Sequence, residues 1–275
     1  MSILVTGASG MIGNELLNSL LKNGYEAIGI DKVQKDNVIK CDLGNIEEID
    51  DVVKNNNIKK IIHLAAIAHT KKGEKIDNSL YYHVNVECSD NVFKIADKYN
   101  IDVLYISTVD VYGFTKKVVT SESDCHPISI YAKTKYSAEQ LLKKYKFNYS
   151  IYRFSPVYTE NTKRDIEKRI YLKSPNLAYQ IGKNTLYEVL NISKAINEMI
   201  LWCDREPTND IKIIKDDDML STKNYIKQEK MNGKAKFVLR LPRWIAVLGY
   251  KILRITGKNK YTYLLSKAIY PLRSK

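Results

Sequence analysis

Short, mostly apolar runs alternate with longer stretches of helical periodicity through the first 155 residues of the chain. Runs this short and this apolar are typical of parallel strands that are buried on both faces. The predicted strands are residues 3–5, 27–30, 61–64, 103–107 and 150–154. The predicted helices are a leucine-rich one before Gly24 and those over residues 46–53, 85–99, 131–145 and 192–202.

The order of these elements predicts the fold class and the domain organisation. Strands that alternate with helices of this length form a doubly wound parallel α/β sheet with right-handed crossovers. After the fifth strand the pattern loosens, although residues 192–202 form a helix that returns to the sheet. We therefore expect a sheet domain over residues 1–155, joined by residues 185–205, and a small lobe formed by residues 156–184 and 206–275.

The segment between the first strand and the first helix contains three glycines spaced G-x-x-G-x-x-G. Glycines at this spacing allow a tight turn and let backbone N–H groups approach a pyrophosphate at the helix N-terminus. Asp31 ends the second strand, where a carboxylate accepts hydrogen bonds from the adenosine ribose and repels a 2′-phosphate. The pattern therefore predicts a site for NAD rather than NADP. The residues predicted to contact the pyrophosphate are Gly7, Gly10, Met11, Ile12 and Gly13.

The chain carries 44 Lys and Arg against 31 Asp and Glu, a net charge of +13, but the excess is local. From Lys230 onward there are 12 basic residues and no acidic one, so the remainder is close to neutral. This distribution argues against nucleic-acid binding, for which no module is recognisable.

The apolar content excludes disorder, and no apolar run is long enough to span a membrane. Widely spaced cysteines and histidines predict a reduced, cytoplasmic protein without a metal site.

The glycine spacing and the segments after it resemble the extended short-chain dehydrogenase/reductases, specifically the NAD-dependent epimerase/dehydratase family of sugar enzymes similar to UDP-glucose 4-epimerase. The resemblance runs from residue 1 to about 205 and implies a Rossmann domain with a substrate lobe, here shortened. It implies that Asp42 and Leu43 lie beside the adenine and that the helix at Asn85 faces the cofactor. The residues that it places along the nicotinamide ribose are Leu64, Ala65 and Ala66.

Candidate catalytic residues follow in the order that this family shows. Thr108 closes a predicted strand, and Tyr131 and Lys135 lie on one face of a predicted helix because they are four residues apart. A phenol is a poor base at neutral pH, but a neighbouring ammonium favours its phenolate form. The resemblance implies that Tyr131 removes a sugar hydroxyl proton while hydride leaves the same carbon, with Thr108 bonded to that hydroxyl.

The residues after Thr108 discriminate among reactions of the family. In the 4,6-dehydratases an acid and a base follow the Thr, whereas here Val109 takes the first position and Asp110 the second. Valine cannot protonate a leaving hydroxyl, so we expect a 4-epimerase with NAD that stays bound. A 4-ketoreductase would use the same catalytic residues with exchangeable NADPH, which Asp31 opposes. A catalytically silent Rossmann module that binds a membrane or a partner is the alternative of another class.

The substrate side is less like the family than the cofactor side. Pro156 replaces an Asn that commonly contacts the diphosphate, and proline offers no N–H and no polar side chain. Arg164 and Arg169 follow and are candidates, with Asp110, for binding a sugar-diphosphate substrate. The basic residues here equally suit a solvated helix face. The resemblance also implies a homodimer formed by the helices that start near Asn85 and Tyr131.

The C-terminal tail, residues 237–275, combines basic residues with an amphipathic helical pattern that begins after Pro242. Two environments suit a broad apolar face beside cations: the core of the substrate lobe, or the surface of an anionic membrane at the inner face of the plasma membrane. The second makes a polyprenyl-diphosphate-linked hexose of surface polysaccharide biosynthesis an alternative to a nucleotide-linked one. The tail apolar face consists of Trp244, Ile245, Leu248, Ile252 and Ile255.

Overall fold

The computed structural model of the chain describes residues 2–68, 77–160, 164–167, 169–172, 177–256 and 259–275. The strands in these ranges are β1 (Ser2–Thr6), β2 (Glu26–Asp31), β3 (Val38–Lys40), β4 (Ile58–His63), β5 (Asp102–Thr108), β6 (Val118–Val119), β7 (Tyr149–Phe154), β8 (Val157–Tyr158), β9 (Leu177–Ile181), β10 (Leu186–Tyr187), β11 (Leu190–Asn191), β12 (Asp210–Ile214), β13 (Leu220–Ser221), β14 (Phe237–Leu241) and β15 (Arg273–Ser274).

The α-helices in the same ranges vary from one turn to more than three. They are α1 (Met11–Lys22), α2 (Ile46–Asn55), α3 (Asn78–Tyr82), α4 (Cys88–Tyr99), α5 (Ile130–Leu142), α6 (Arg164–Glu167), α7 (Ile192–Cys203), α8 (Thr222–Met231), α9 (Arg243–Ile255) and α10 (Asn259–Ile269). Side-chain caps begin some of them, because Asn45 accepts from the backbone of α2 and Ser129 from that of α5.

Seven strands form one parallel sheet in the order β12–β7–β5–β4–β1–β2–β3. This confirms the predicted doubly wound α/β fold, with the strand order reversing on either side of β1. The inner strands are buried on both faces, as Ile3–Val5 and 103–106 show, because helices cover the sheet on each side. The carboxyl ends of β1, β4 and β5 therefore meet at one edge, where ligands of such sheets bind.

The helix predicted over residues 85–99 differs from the observed one. Its region begins at Asn78 as α3, continues through a π-helical turn at His83–Glu87, and becomes regular at Cys88 as α4. A π-turn inserts an extra residue and breaks the 3.6-residue period, so the apolar spacing marked only the regular part. Asn85 lies on this turn and is fully buried.

Contacts divide the chain into two compact units. The sheet unit comprises Met1–Gly113, Pro127–Phe154 and Ser193–Ile214, and the lobe unit comprises Phe114–His126, Ser155–Ile192 and Lys215–Lys275. The second part of the lobe, expected to begin at residue 206, therefore begins later in the chain. Residues 210–214 form β12, which pairs with β7 as the edge strand of the central sheet. Residues 185–192, expected with the sheet, join the lobe unit because β10 and β11 pair with β13 and β8.

The lobe unit has its own small core. Tyr187, Tyr225 and Ile226 pack together beneath β9 and β14, which pair in parallel. A second cluster forms where α9 and α10 pack, with Ala246 and Ile269 buried between them. None of the helices within the described part of the chain has the length and apolar content needed to cross a membrane.

Candidate active site

The glycine loop after β1 has a backbone that only glycine fits. A β-carbon on Gly13 would lie 2.2 Å from the carbonyl oxygen of Gly7, and one on Gly7, at φ +71°, would lie 2.8 Å from the backbone of Ala65. Gly10 is the N-cap of α1 and brings no side-chain acceptor, so the first-turn N–H groups at Met11 remain for an external anion. This loop fits the pyrophosphate of a dinucleotide.

Asp31, at the end of β2, is fixed beside the glycine loop. Its carboxylate accepts from the backbone N–H of Ser9 at 3.1 Å and of Val33 at 2.9 Å. Lys35 donates to the carbonyl of Ser9 at 2.6 Å, which ties the next loop to the same place. A carboxylate held there has the position from which the adenosine ribose is recognised in this fold.

Asp42 and Leu43 follow β3 on the same side of the sheet. The Asp42 carboxylate accepts from the backbone N–H of Gly44 and pairs with Lys32 at 3.1 Å, and these two contacts lower the pKa of Asp42. Leu43 packs against the core and its carbonyl accepts from Asn91. The adenine contact that the family resemblance implies for Asp42 and Leu43 stays a prediction.

The segment after β4 contains Leu64, Ala65 and Ala66 and passes close to the glycine loop. Asn85 holds its far end, because the amide accepts from the Ile67 N–H at 2.7 Å and donates to the Ile67 carbonyl at 3.0 Å. The same amide also donates to Thr134 on α5 at 3.0 Å. Asn85 therefore joins this segment to the helix that carries Tyr131, and its cofactor contact stays a prediction.

Thr108 is the last residue of β5, and its hydroxyl is oriented by the following turn. Its Oγ1 accepts from the backbone N–H of Asp110 at 3.2 Å, which leaves the hydroxyl hydrogen for another acceptor. Val109 is buried in the 3₁₀ turn Val109–Tyr112. The acid position of the dehydratases is thus occupied by a packed apolar side chain, while Asp110 is partly exposed.

Tyr131 and Lys135 lie one turn apart in the first half of α5. Tyr131 is partly exposed, whereas Lys135 is buried with its Nζ 4.1 Å from the centre of the Tyr105 ring. Burial lowers the pKa of Lys135 to about 7, although the charge of Glu139 opposes the shift. At neutral pH this amine is close to its titration midpoint, so a neighbouring charge decides its protonation state.

A buried ion pair beneath this turn was not anticipated from the sequence. Arg153 on β7 donates to both carboxylate oxygens of Glu139, at 3.1 and 2.6 Å, and to the Tyr112 hydroxyl at 2.8 Å. Ser107 donates to the same carboxylate at 2.5 Å. The spacing of Glu139, four residues after Lys135, was the available signal. The cluster fixes α5 against the strand that ends in Thr108.

His63 links three elements of the sheet edge. Its Nδ1 lies 2.7 Å from Thr6 Oγ1 and its Nε2 2.8 Å from Ser89 Oγ, and its ring stacks on Tyr105. Burial, with a smaller contribution from Lys135, lowers the pKa of His63 to about 3. The imidazole is therefore neutral and structural, as its position at a strand end suggests.

The candidate substrate residues lie in different parts of the chain. Asp110 is in the sheet unit, whereas Arg169 is in the lobe unit with its guanidinium 5.1 Å from the centre of the Tyr187 ring. The side chain of Arg164 lies outside the described residues. Within the described ranges no three His, Cys, Asp or Glu side chains are grouped as a metal site requires.

The fold and the glycine loop define a dinucleotide-binding α/β protein of the Rossmann type. The chain belongs to the NAD-dependent epimerase/dehydratase family, whose model matches residues 3–194. This confirms the family indicated by the motifs and NAD as its cofactor.

Two curated relatives show the extent of the similarity. CapI of Staphylococcus aureus is 30% identical over 184 residues, which are 58% of this chain and 54% of CapI. UDP-glucose 4-epimerase of Caenorhabditis elegans is 32% identical over 177 residues, 52% of this chain and 48% of that enzyme. The chain thus spans about half the length of these curated relatives.

The solved structures that resemble this chain establish its fold. UDP-glucuronic acid 4-epimerase from Bacillus cereus in complex with NAD superposes with a TM-score of 0.72 at 23% identity. The match covers 88% of this chain and 87% of that one.

Proposed function

We propose that this protein is an NAD-dependent 4-epimerase that acts on a hexose linked to a diphosphate, whose carrier is a nucleotide or a polyprenol. The observation that carries the proposal is the combination of Tyr131 on α5 with a buried amine at Lys135, and a packed Val109 where a dehydratase needs an acid. NAD, when bound, supplies a hydride acceptor. The side chains of this protein then have to move only one proton.

In this proposal Tyr131 takes the proton of the sugar 4-hydroxyl and later returns it. Lys135 is poised to be charged when a phenolate forms beside it, because its pKa of about 7 responds to a nearby negative charge. Thr108 donates its hydroxyl hydrogen to the same sugar oxygen, while one of the lone pairs of its oxygen accepts from the Asp110 N–H. The ion pair of Glu139 and Arg153 positions the helix and does not touch the sugar.

The decisive experiment measures the cofactor of the purified protein and its turnover of diphosphate-linked hexoses. We expect about one NAD released per chain on denaturation, and Tyr131→Phe to slow epimerisation about 100-fold or more while retaining NAD. Tyr136→Phe, on the same helix, is the matched control and should keep its activity. Empty protein that oxidises added NADPH would instead identify the ketoreductase. An unchanged biological role of Tyr131→Phe would identify a silent binding module.

We further propose that the enzyme works in the cytoplasm as a homodimer, at the inner face of the plasma membrane in surface polysaccharide biosynthesis. The tail apolar face supports membrane contact. Trp244 is 69% exposed, Ile252 53% and Ile255 86%, whereas Ala246 and Tyr250 on the other side of α9 pack in the core. The alternative expectation, that the tail apolar face fills the core of the lobe, does not hold for these side chains, because the opposite side of α9, with Ala246 and Tyr250, packs there.

Charge supports an anionic membrane as the partner of the tail apolar face. The segment from Lys230 to Lys275 carries 12 basic residues and no acidic one, so the same face of a second copy would be repelled. An anionic bilayer is attracted instead, by about 1 kcal/mol for each Lys or Arg near its surface. Exposed Trp and Ile beside Lys251 and Arg254 suit the boundary between headgroups and acyl chains.

Vesicle sedimentation tests this contact. We expect the protein to bind vesicles that contain phosphatidylglycerol and not vesicles of pure phosphatidylcholine, with a blue shift of tryptophan emission. Ile252→Ser with Ile255→Ser should release it, while Leu201→Ser, equally 53% exposed but on α7, should not. Equal binding of both variants, or no binding to anionic vesicles, would overturn the membrane contact.

A further inference from the structure

A cavity of about 480 Å³ within the lobe unit has an unusual lining. Four of its side chains are cationic, and no Asp or Glu is among its lining residues. The cavity volume lies in the range of small-molecule sites. Because field lines concentrate in concave surfaces of one sign of charge, this cavity attracts anions. The four cations are Lys116, Lys183, Arg243 and Arg273.

Arg273 has hydrogen-bonding capacity that the described chain does not use. Its Nη2 donates to the carbonyl of Leu186 at 3.0 Å, which anchors the side chain at the cavity wall. Its Nη1 is buried, and no acceptor for it exists among the described residues. A buried guanidinium N–H without an acceptor is unfavourable, so a ligand oxygen there would be stabilising.

Two further cations are held around one aromatic ring of the cavity. Lys116 Nζ lies 4.6 Å from the centre of the Tyr270 ring, and the Arg243 guanidinium lies 5.8 Å from it. Arg243 is also anchored by donating to the carbonyl of Ile269 at 3.2 Å. Two cations around one ring repel each other, and a ligand with two negative charges would relieve that repulsion.

The acidic residue beside Arg273 in the fold is already neutralised by other groups. The carboxylate of Glu188 accepts from the backbone and hydroxyl of Ser274 and pairs with Lys215 at 3.0 Å. Glu188 does not line the cavity. The positive charge of the cavity is therefore not cancelled by Glu188.

We propose that this cavity binds the phosphate or diphosphate group of an anionic ligand. The guanidinium of Arg273 supplies the fork that matches phosphate oxygens, and Lys116, Lys183 and Arg243 supply charge from three other segments. Binding at this cavity requires neither NAD nor turnover, so it can be tested independently of the epimerase proposal. The same group occurs in soluble nucleotide diphosphates and in lipid-linked diphosphates, which are its two sources.

Isothermal titration of the full-length protein with inorganic pyrophosphate tests the site. We expect saturable binding that weakens with salt, and Arg273→Gln to reduce the affinity about tenfold or more. Arg273→Lys, which keeps the charge but loses the fork, should recover only part of it. Lys116→Gln with Lys183→Gln, both on exposed loops, should weaken binding severalfold without altering the melting temperature.

The control is Arg240→Gln, which removes a charge of the same tail outside the cavity lining. Absence of saturable pyrophosphate binding, or equal weakening by Arg240→Gln, would overturn the proposal. Titration with UDP and with geranyl diphosphate then separates the two sources. Tighter binding of UDP assigns the site to nucleotides, and tighter binding of geranyl diphosphate assigns it to lipid-linked ligands.

Discussion

In the sheet unit a charged pair, Arg153 and Glu139, lies in the core, whereas in the lobe unit Trp244 and Ile255 lie in solvent. Both arrangements reverse the ordinary distribution of charged and apolar residues. The buried pair is bonded to several neighbours within the chain, but the exposed face has no comparable partner among the described residues. The contrast shows that a buried charge is stabilised by partners within the chain, whereas an exposed apolar face indicates a binding surface for a partner outside it.

The largest expected effect comes from breaking the buried pair. Glu139→Gln leaves the Arg153 guanidinium buried without its counter-charge, which should lower the free energy of unfolding by about 3–5 kcal/mol in a urea titration. The double variant Glu139→Leu with Arg153→Met should recover most of that loss, because it buries no charge. A loss below about 1 kcal/mol in Glu139→Gln would show that water reaches the ion pair and that its charges are as well solvated as charges on the surface.

A smaller effect of opposite sign is expected at Lys135. Its pKa is about 7 in the folded protein and near 10.4 in an unfolded chain. Between those pH values the unfolded chain binds more protons, so the stability of the wild-type protein rises with pH across that window. Lys135→Met should remove this rise and be more stable at pH 7 by about 1–3 kcal/mol, although inactive.

Urea titrations of cofactor-free protein at several pH values between about 7 and 10 measure this difference. Lys133→Met, an exposed position on the same helix, is the control and should leave the slope unchanged. An identical pH slope for Lys135→Met and the wild-type protein would contradict the assigned burial effect.

The smallest effect is expected on the tail apolar face. Ile252→Ser should change the free energy of unfolding by less than about 0.5 kcal/mol, because its side chain is already in solvent. Ile269→Ser, buried at the end of α10, should cost several times more. A large loss in Ile252→Ser would mean that the face is packed in solution and that the membrane contact has no surface to use.

The inner strands β1, β4, β5 and β7 could be predicted because they are buried along almost their whole length and are therefore mostly apolar. The glycine loop was equally visible, since Gly7 and Gly13 are required by direct backbone contact. The pairing of Glu139 with Arg153 was not visible, because it joins a helix to a strand through space. Residues 210–214 were not recognised as a strand of the sheet, because this edge strand is only partly buried and lacks the continuous apolar run of an inner strand.

The cationic cavity could not be predicted at all from the sequence. Its four cations come from segments separated by tens of residues, and the chain contains many other lysines and arginines that lie on open surface. The amphipathic pattern of α9 could be predicted, but the orientation of its apolar side, toward the core or toward solvent, could not. Periodicity shows that a helix has an apolar side, and only packing shows whether that side faces inward.

The π-turn at His83–Glu87 has a consequence for how this helix can diverge. Each residue of an α-helix advances the chain by about 100° around the axis. Loss of a single codon within the turn would turn α3 by that angle while α4 kept its packing. The side chains of Leu80 and Tyr82, which are exposed, would then point in a different direction. An insertion or deletion in the π-turn can thus change which way the side chains of α3 face, with no substitution in the core.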